Sequence, residues 1–153
     1  MLASVINETS WSVGVKTFQY APMFTLNKIV RELKVRPDLI KIDVEGYEYQ
    51  VFIGGKHLLR KSSEQRPALC LEINPKMLKK HDSSVEKISR MLVDYEFFYI
   101  NDYSGQKTAP GEPIGKLADI DWVANVFALP GEDPRKITWQ AEFRHLIQQY
   151  LKP

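Results

Sequence analysis

Leu39-Ile40-Lys41-Ile42-Asp43-Val44-Glu45-Gly46-Tyr47-Glu48 decides how the rest of this chain is read. An apolar run (Leu39, Ile40, Ile42, Val44) leads straight into acidic residues and a glycine. Carboxylates are costly to bury, so a strand that delivers Asp43 and Glu45 to its end opens onto a site. Helical periodicity begins directly after Gly46. Strand, acidic turn and helix in that order make the ligand-facing edge of an open α/β sheet.

Working outward, Tyr47, Val51, Phe52, Leu58 and Leu59 mark the apolar face of a helix over about 47–60. Gly54-Gly55 inside it costs about 1 kcal/mol per residue relative to alanine, so a local break or a close packing contact is expected there. Arg66-Pro67 punctuates, and 68–73 reads as a second buried strand, ending in Glu72, Ile73, Asn74 and Pro75. Ser83-x-x-Glu86 predicts a capping box opening a helix with Val85, Ile88, Leu92 and Tyr95 on one face. A third strand follows over 97–100, a long Gly/Pro-rich loop over 104–121 and a fourth strand over 122–129. Trp139, Phe143, Leu146, Ile147 and Tyr150 mark an amphipathic C-terminal helix beyond a linker at 130–134. On the upstream side, Leu26, Ile29, Val30 and Leu33 keep helical spacing behind Thr25, a candidate N-cap. Val13, Val15 and Phe18 alternate with polar residues and allow one strand before Pro22.

Strands alternating with helices, and strands that are nearly continuous in apolar residues, argue for an α/β fold. The expected sheet is mostly parallel, with helices on both faces. The stretch from 100 to 122 has no helical pattern, which predicts an antiparallel last strand at the end of the sheet. Residues 1–130 form the α/β domain in this reading, and 131–153 a linker with its C-terminal helix.

With 153 residues, 44% hydrophobic and 26% charged, the chain is long enough for one domain with a real core. A formal net charge of +2 is too small to imply nucleic acid or anionic lipid as partner. The single cysteine, Cys70, lies in an apolar run and is expected to be a buried core thiol. No apolar stretch approaches the roughly 20 residues of a membrane span, and 1–11 lacks the basic start of a signal peptide. A reducing, cytoplasmic setting fits this composition.

The ordered motifs resemble the FkbM-type family of S-adenosylmethionine-dependent methyltransferases. Asp38 through Gly46 followed by Glu48 looks like that family's most recognisable signature. Gly54-Gly55, Arg66-Pro67 and Leu71-Glu72-Ile73 follow in order. Phe24 through Val30 is similar to the family's Thr-Leu-Asp-Asp-Leu segment, with Asn27 and Lys28 in place of the two acids. The resemblance covers roughly residues 22–130. It implies a partial Rossmann-like methyltransferase sheet, with strand 39–44 as the fourth strand and 122–129 as the antiparallel seventh. It also implies S-adenosylmethionine as cofactor and O-methyl transfer to a small-molecule or glycan acceptor.

In that family a glycine-rich turn after the first strand and an acid after the second hold the methionine and ribose parts of the cofactor. The eight glycines here include no G-x-G after an apolar strand, and Gly111-x-x-x-Gly115 lies in a proline-rich loop. About 38 residues precede the signature strand, whereas three strands with crossovers need on the order of a hundred, at about 30 or more per βαβ unit. The expectation is therefore the C-terminal half of such an enzyme, with no cofactor-binding residue to name. Strand 39–44 would then be a hydrophobic edge, covered by the 11–20 segment, by a second copy in a homodimer, or by the missing N-terminal half.

Methyl transfer needs an in-line nucleophile and often a base or a metal to remove its proton. Asp43 is the first candidate for base or metal ligand, and Glu45 for orienting the acceptor. Glu48, Glu72, Asn74 and Tyr47 are candidate substrate-binding residues on the same rim. The structural alternatives are that Asp43 or Glu45 caps the following helix and pairs with Lys41, and that Glu48 simply favours its helix start. Asp43, Glu72 and Asn74 form an oxygen-rich trio of a kind that suits Mg²⁺, but the expectation is no metal. His57, His81 and His145 read as surface residues, and Tyr103 as a possible pocket wall. Two other functions compete: a truncated, non-catalytic interaction domain, and a metal-dependent hydrolase or phosphotransferase using the strand-end carboxylates.

Overall fold

A threonine followed by an apolar i, i+3, i+4 pattern starts the first helix as its sequence predicts. In the computed structural model, which describes residues 2–3, 21–102, 111–132, 137–138, 141–142 and 145, Thr25 caps α1 (Leu26–Leu33). Its hydroxyl accepts from the Lys28 N–H at 3.2 Å. Before it, β1 (Leu2–Ala3) and β2 (Ala21–Pro22) form a short antiparallel pair. The strand expected within 11–20, Tyr103 and the apolar stripe from Trp139 to Tyr150 lie outside the described residues.

The signature run forms β3 (Leu39–Ile42). The helix after it breaks where the glycine pair predicts, giving α2 (Glu48–Gly54) and α3 (Lys56–Leu59). The reason is close approach of α1. A Cβ on Gly55 would lie 2.9 Å from Leu26 Cδ2, and one on Gly54 would lie 3.3 Å from Thr25 Cβ. Asn27, which replaces an acid of the resembling segment, accepts the Leu58 N–H at 3.2 Å and ties α1 to α3.

β4 (Ala68–Ile73) pairs parallel with β3, Leu39 opposite Ala68 and Ile42 opposite Leu71. Then come α4 (Pro75–Lys80), α5 (Val85–Met91), β5 (Tyr95–Asp102), β6 (Pro113–Ile114) and β7 (Ala124–Pro130). The five-stranded order is β3-β4-β7-β5-β6. β3, β4 and β5 run one way; β7 is antiparallel to both of its neighbours, and β6 is antiparallel to β5. This is the α/β sheet expected, in mixed form, with β3–β4 as its parallel pairing and the other three antiparallel. The antiparallel last strand enters between β4 and β5 rather than at the margin. It pairs along both edges, with β4 and with β5, and Val126 through Pro130 are buried on both faces, as suits an interior strand.

Helices α2 to α5 send Phe52, Leu59, Leu78, Val85 and Ile88 onto Leu69, Leu71, Ile73, Val126 and Ala128, the main core. The opposite face carries a smaller cluster of Ala68, Phe98, Phe127 and Leu129. Farther along the chain, 137–138, 141–142 and 145 are helical with exposed side chains, His145 among them.

Three local expectations are corrected. Ser84, not Ser83, caps α5, accepting from the Lys87 N–H at 3.2 Å, while the Ser83 side chain is buried. Tyr95 begins β5 instead of continuing the helix. Its hydroxyl donates to the Pro67 carbonyl at 3.0 Å. Cys70 is half-exposed, because the alternation of β4 sends Leu69, Leu71 and Ile73 to the helical core and Cys70 to the other face.

Candidate functional site

The turn after β3 is set by a buried carboxylate. Glu48 is 1% exposed. Its Oε1 accepts the Val44 N–H and the Gly46 N–H, both at 3.2 Å, folding the chain of 44–46 back over the start of α2. Tyr47 N–H closes the turn onto the Val44 carbonyl at 3.2 Å. Two consecutive residues adopt positive φ, Glu45 at 53° and Gly46 at 100°. At Gly46 only glycine fits. A Cβ would come within 2.5 Å of the Met77 carbonyl oxygen and 2.8 Å of His81 Cδ2. Glu45 has no such exemption and holds the left-handed conformation at a cost of about 1–2 kcal/mol. Strain of this kind, held by a buried latch, is a feature of functional turns.

The latch leaves Asp43 and Glu45 exposed at the carboxyl end of β3. Asp43 Oδ2 accepts from Lys41 Nζ at 2.5 Å, the pairing named as an alternative for it. That bond holds the Lys41 pKa above its usual range, ahead of the opposing effect of desolvation. Neither acid caps α2, whose N-cap residue, Tyr47, makes no side-chain capping bond.

Glu72 lies near the end of β4, half-buried on the same face as Lys41 and Cys70. Burial pushes its carboxyl pKa up; the charges of Asp43, Glu45 and Glu48 push the same way, and a hydrogen bond with Asn74 opposes them. Asn74 is engaged as the N-cap of α4, its Oδ1 accepting the Met77 N–H at 3.2 Å. Tyr47 is half-exposed, its ring 4.0 Å from that of His81. His81 is thus part of the wall behind the turn, half-buried, where the sequence reading put it on the surface. His57 is exposed. The signal for His81 was its place at the end of the helix that follows β4, a position that only the packing of α4 on Gly46 makes meaningful. Burial also pushes the Cys70 thiol up, with Lys41 opposing and Asp43 adding.

The rim therefore gathers Asp43, Glu45, Glu72, Asn74 and Tyr47 around one strand-end turn, with Glu48 beneath it. Among the described residues, no three His, Cys, Asp or Glu side chains are grouped so as to hold a metal ion. Two cavities lie away from this rim. One, of about 530 Å³, runs between the end of α5, β5 and β6; the other, of about 370 Å³, is bordered by Lys56, Arg60, Lys61 and Arg66.

Comparison with known families decides what the turn belongs to. The family model described as the methyltransferase FkbM domain matches residues 3–99, well over half of the chain. The chain belongs to the FkbM methyltransferase family. No curated protein and no solved structure matches it. The match to the FkbM domain begins before the segment of resemblance and ends at Tyr99, short of β7. Membership in an FkbM methyltransferase family implies S-adenosylmethionine as the methyl donor. The rim is acidic, a charge that suits the sulfonium and ammonium groups of that molecule, and the described residues hold no G-x-G turn after an apolar strand. The glycine at the strand end, Gly46, is filled from behind by Met77 and His81. No helix among the described residues is long and apolar enough to cross a membrane.

Proposed function

We propose that the strand-end rim is the acceptor side of an O-methyltransferase acting on a small-molecule or glycan hydroxyl. The methyl donor is held by a glycine-rich half outside the described residues. Methyl transfer to a hydroxyl releases a proton, and the acceptor must lie in line with the departing sulfur. Asp43 and Glu45 orient the hydroxyl, with Tyr47 and Asn74 as flanking contacts. The proton passes to the acidic group around Asp43. Burial and the acidic neighbours of Glu72 raise its carboxyl pKa. Glu48 supports the reaction from beneath by fixing the turn. One cysteine and no disulfide suit a reducing, cytoplasmic setting.

The observation that carries this reading is the latch of Glu48 on Val44 and Gly46, which presents two exposed acids on a strained turn at a strand end. Release of S-adenosylhomocysteine with a panel of hydroxylated acceptors tests it. Asp43→Asn is expected to lower the rate about a hundredfold or more, the usual scale for a lost general base. Unchanged turnover in that variant would remove Asp43 from the chemistry. The lack of a glycine-rich turn among the described residues favours a second reading, a partner-binding domain without catalysis. Calorimetry with S-adenosylmethionine separates the two, since a folded chain with no measurable affinity for the donor supports the second.

A further inference from the structure

Charge is divided between the two ends of the sheet. The chain as a whole is close to neutral, with 21 lysines and arginines against 19 acids. Around the cavity of about 370 Å³ the balance is different. Lys56, Arg60, Lys61, Arg66 and Arg90 border it, and Asp94 and Glu132 are the acids that face them. Arg66 lies just before β4, Asp94 just before β5 and Glu132 just after the antiparallel β7. The cavity is therefore at the amino end of β4 and β5, whereas Asp43 and Glu72 belong to the carboxyl end of β3 and β4.

The inner side of the cavity is fixed. Arg66 is 8% exposed. Its Nη1 lies 3.5 Å from Asp94 Oδ2, and its guanidinium carbon 5.3 Å from the centre of the Tyr95 ring. The Tyr95 hydroxyl donates to the Pro67 carbonyl at 3.0 Å, and the Gly131 N–H to the Asp94 carbonyl at 2.8 Å. These bonds hold a buried guanidinium in one place and one orientation. Leu59, Met91 and Val93 complete the wall with apolar surface.

The mouth carries cations with no local task. Arg90 donates to Glu86 at 2.6 Å. Lys56, Arg60 and Lys61 are exposed and form no ion pair among the described residues. Cations suit the carboxyl end of a helix, but α3 has four residues and Lys56 is its first. Like charges gathered round one hollow repel one another, and a bound dianion turns that repulsion into attraction. Guanidinium forks match phosphate oxygens, and ammonium groups add point charge. The volume is at the small end for a ligand site, which suits a phosphate on a compact body.

We propose that this cavity binds the phosphate group of a small phosphorylated molecule, with Arg60 and Lys61 closing on it from the mouth and Arg66 facing it from within. This inference stands apart from the methyl-transfer reading, because the cavity is at the other end of the sheet and uses none of the rim residues.

Amide NMR of the full chain, titrated with inorganic phosphate, glucose 6-phosphate and glucose, tests it. The titrations are run in about 0.15 M sodium chloride, where attraction between exposed charges is largely screened. Both phosphates are expected to give saturable shifts confined to 60–66 and 93–95, with the sugar phosphate binding the tighter because its body meets the apolar wall. Glucose should give none. Arg60→Glu/Lys61→Glu, at two exposed positions, is expected to weaken binding about tenfold or more, the scale for lost charge-assisted hydrogen bonds. Lys79→Glu/Lys80→Glu, which makes the same charge change at the exposed end of α4, should leave binding intact. Thermal melts of both variants check that each is folded. Absence of saturable shifts with either phosphate overturns the proposal, as do shifts scattered over lysines elsewhere. So does an equal loss in the two double variants, which would mean that net charge alone attracts the anion.

Discussion

At the scale of single residues, the site is a contest between conformation and charge, and Glu45 is where the two can be separated. Its backbone lies at φ 53°, where a residue with a Cβ is disfavoured and glycine is not. Glu45→Gly is expected to raise unfolding stability by about 1 kcal/mol, since relief of the left-handed strain outweighs the added freedom of the unfolded chain. The same change is expected to lower turnover, because the carboxylate is lost; urea melts and rate measurements on one preparation check both. A stabilised and fully active variant would mean that Glu45 has no part in the reaction. Glu72 is separable by pH. Its pKa is raised in the folded state, so the native chain binds more protons than the unfolded one as pH climbs through and above the ordinary carboxyl range. Stability from this group is therefore fully present at low pH and is lost as pH rises through its folded value. Glu72→Gln is expected to melt at a slightly higher temperature than the wild type at neutral pH, with the difference closing as the medium is acidified. A difference that widens on acidification would contradict the sign. Of these residues the sequence made the acids visible, since apolar strands ending in carboxylates are unusual. It did not show that Glu48, rather than Asp43 or Glu45, is the buried one. Spacing along the chain is the same whichever side chain turns inward, and only the packing of α2 decides.

At the scale of elements, what could be read depended on whether the signal was local. The break between α2 and α3 was legible because two adjacent glycines in an apolar pattern point to close approach, and α1 supplies it. The cap of α1 was legible for the same reason. The helix α4 was not, because Pro75–Lys80 is short and basic with no long apolar period, and Asn74-Pro75 also describes a turn. Both readings of that dipeptide use the same chemistry: asparagine accepts a backbone N–H, and proline needs none at the first helical position. The one-residue slip at Ser83 and Ser84 has a similar origin. Two adjacent serines present equal capping chemistry, and the buried position of Ser83 assigns the cap to Ser84. Asn74 offers the test at this scale. Asn74→Ala removes the cap of α4, which holds Met77 and His81 behind Gly46. A loss of about 1 kcal/mol is expected in denaturant unfolding. Asn74→Asp or Asn74→Ser, which keep an acceptor, should recover most of it. Equal destabilisation by all three would show that Asn74 matters through something other than its cap.

At the scale of the whole molecule, the sheet divides into strands with two neighbours and strands with one, and that division sets both its stability and its reach toward other chains. The order β3-β4-β7-β5-β6 was only half legible. An antiparallel last strand followed from a connection without a helix, but its insertion between β4 and β5 is a property of the assembled sheet. Continuous apolarity in β7 fits an interior strand of either direction. The consequence is measurable by amide hydrogen exchange, which reports local opening. Amides of β4 and β7, bonded and buried on both sides, are expected to exchange only through global unfolding. Within β3 the pattern should alternate. Ile40 and Ile42 donate to β4 and exchange slowly, whereas Leu39 and Lys41 face the open edge and exchange quickly in dilute solution. Slow exchange at Lys41 even in the most dilute sample would mean that another part of the same polypeptide already lies along β3. The edge would then be closed from within.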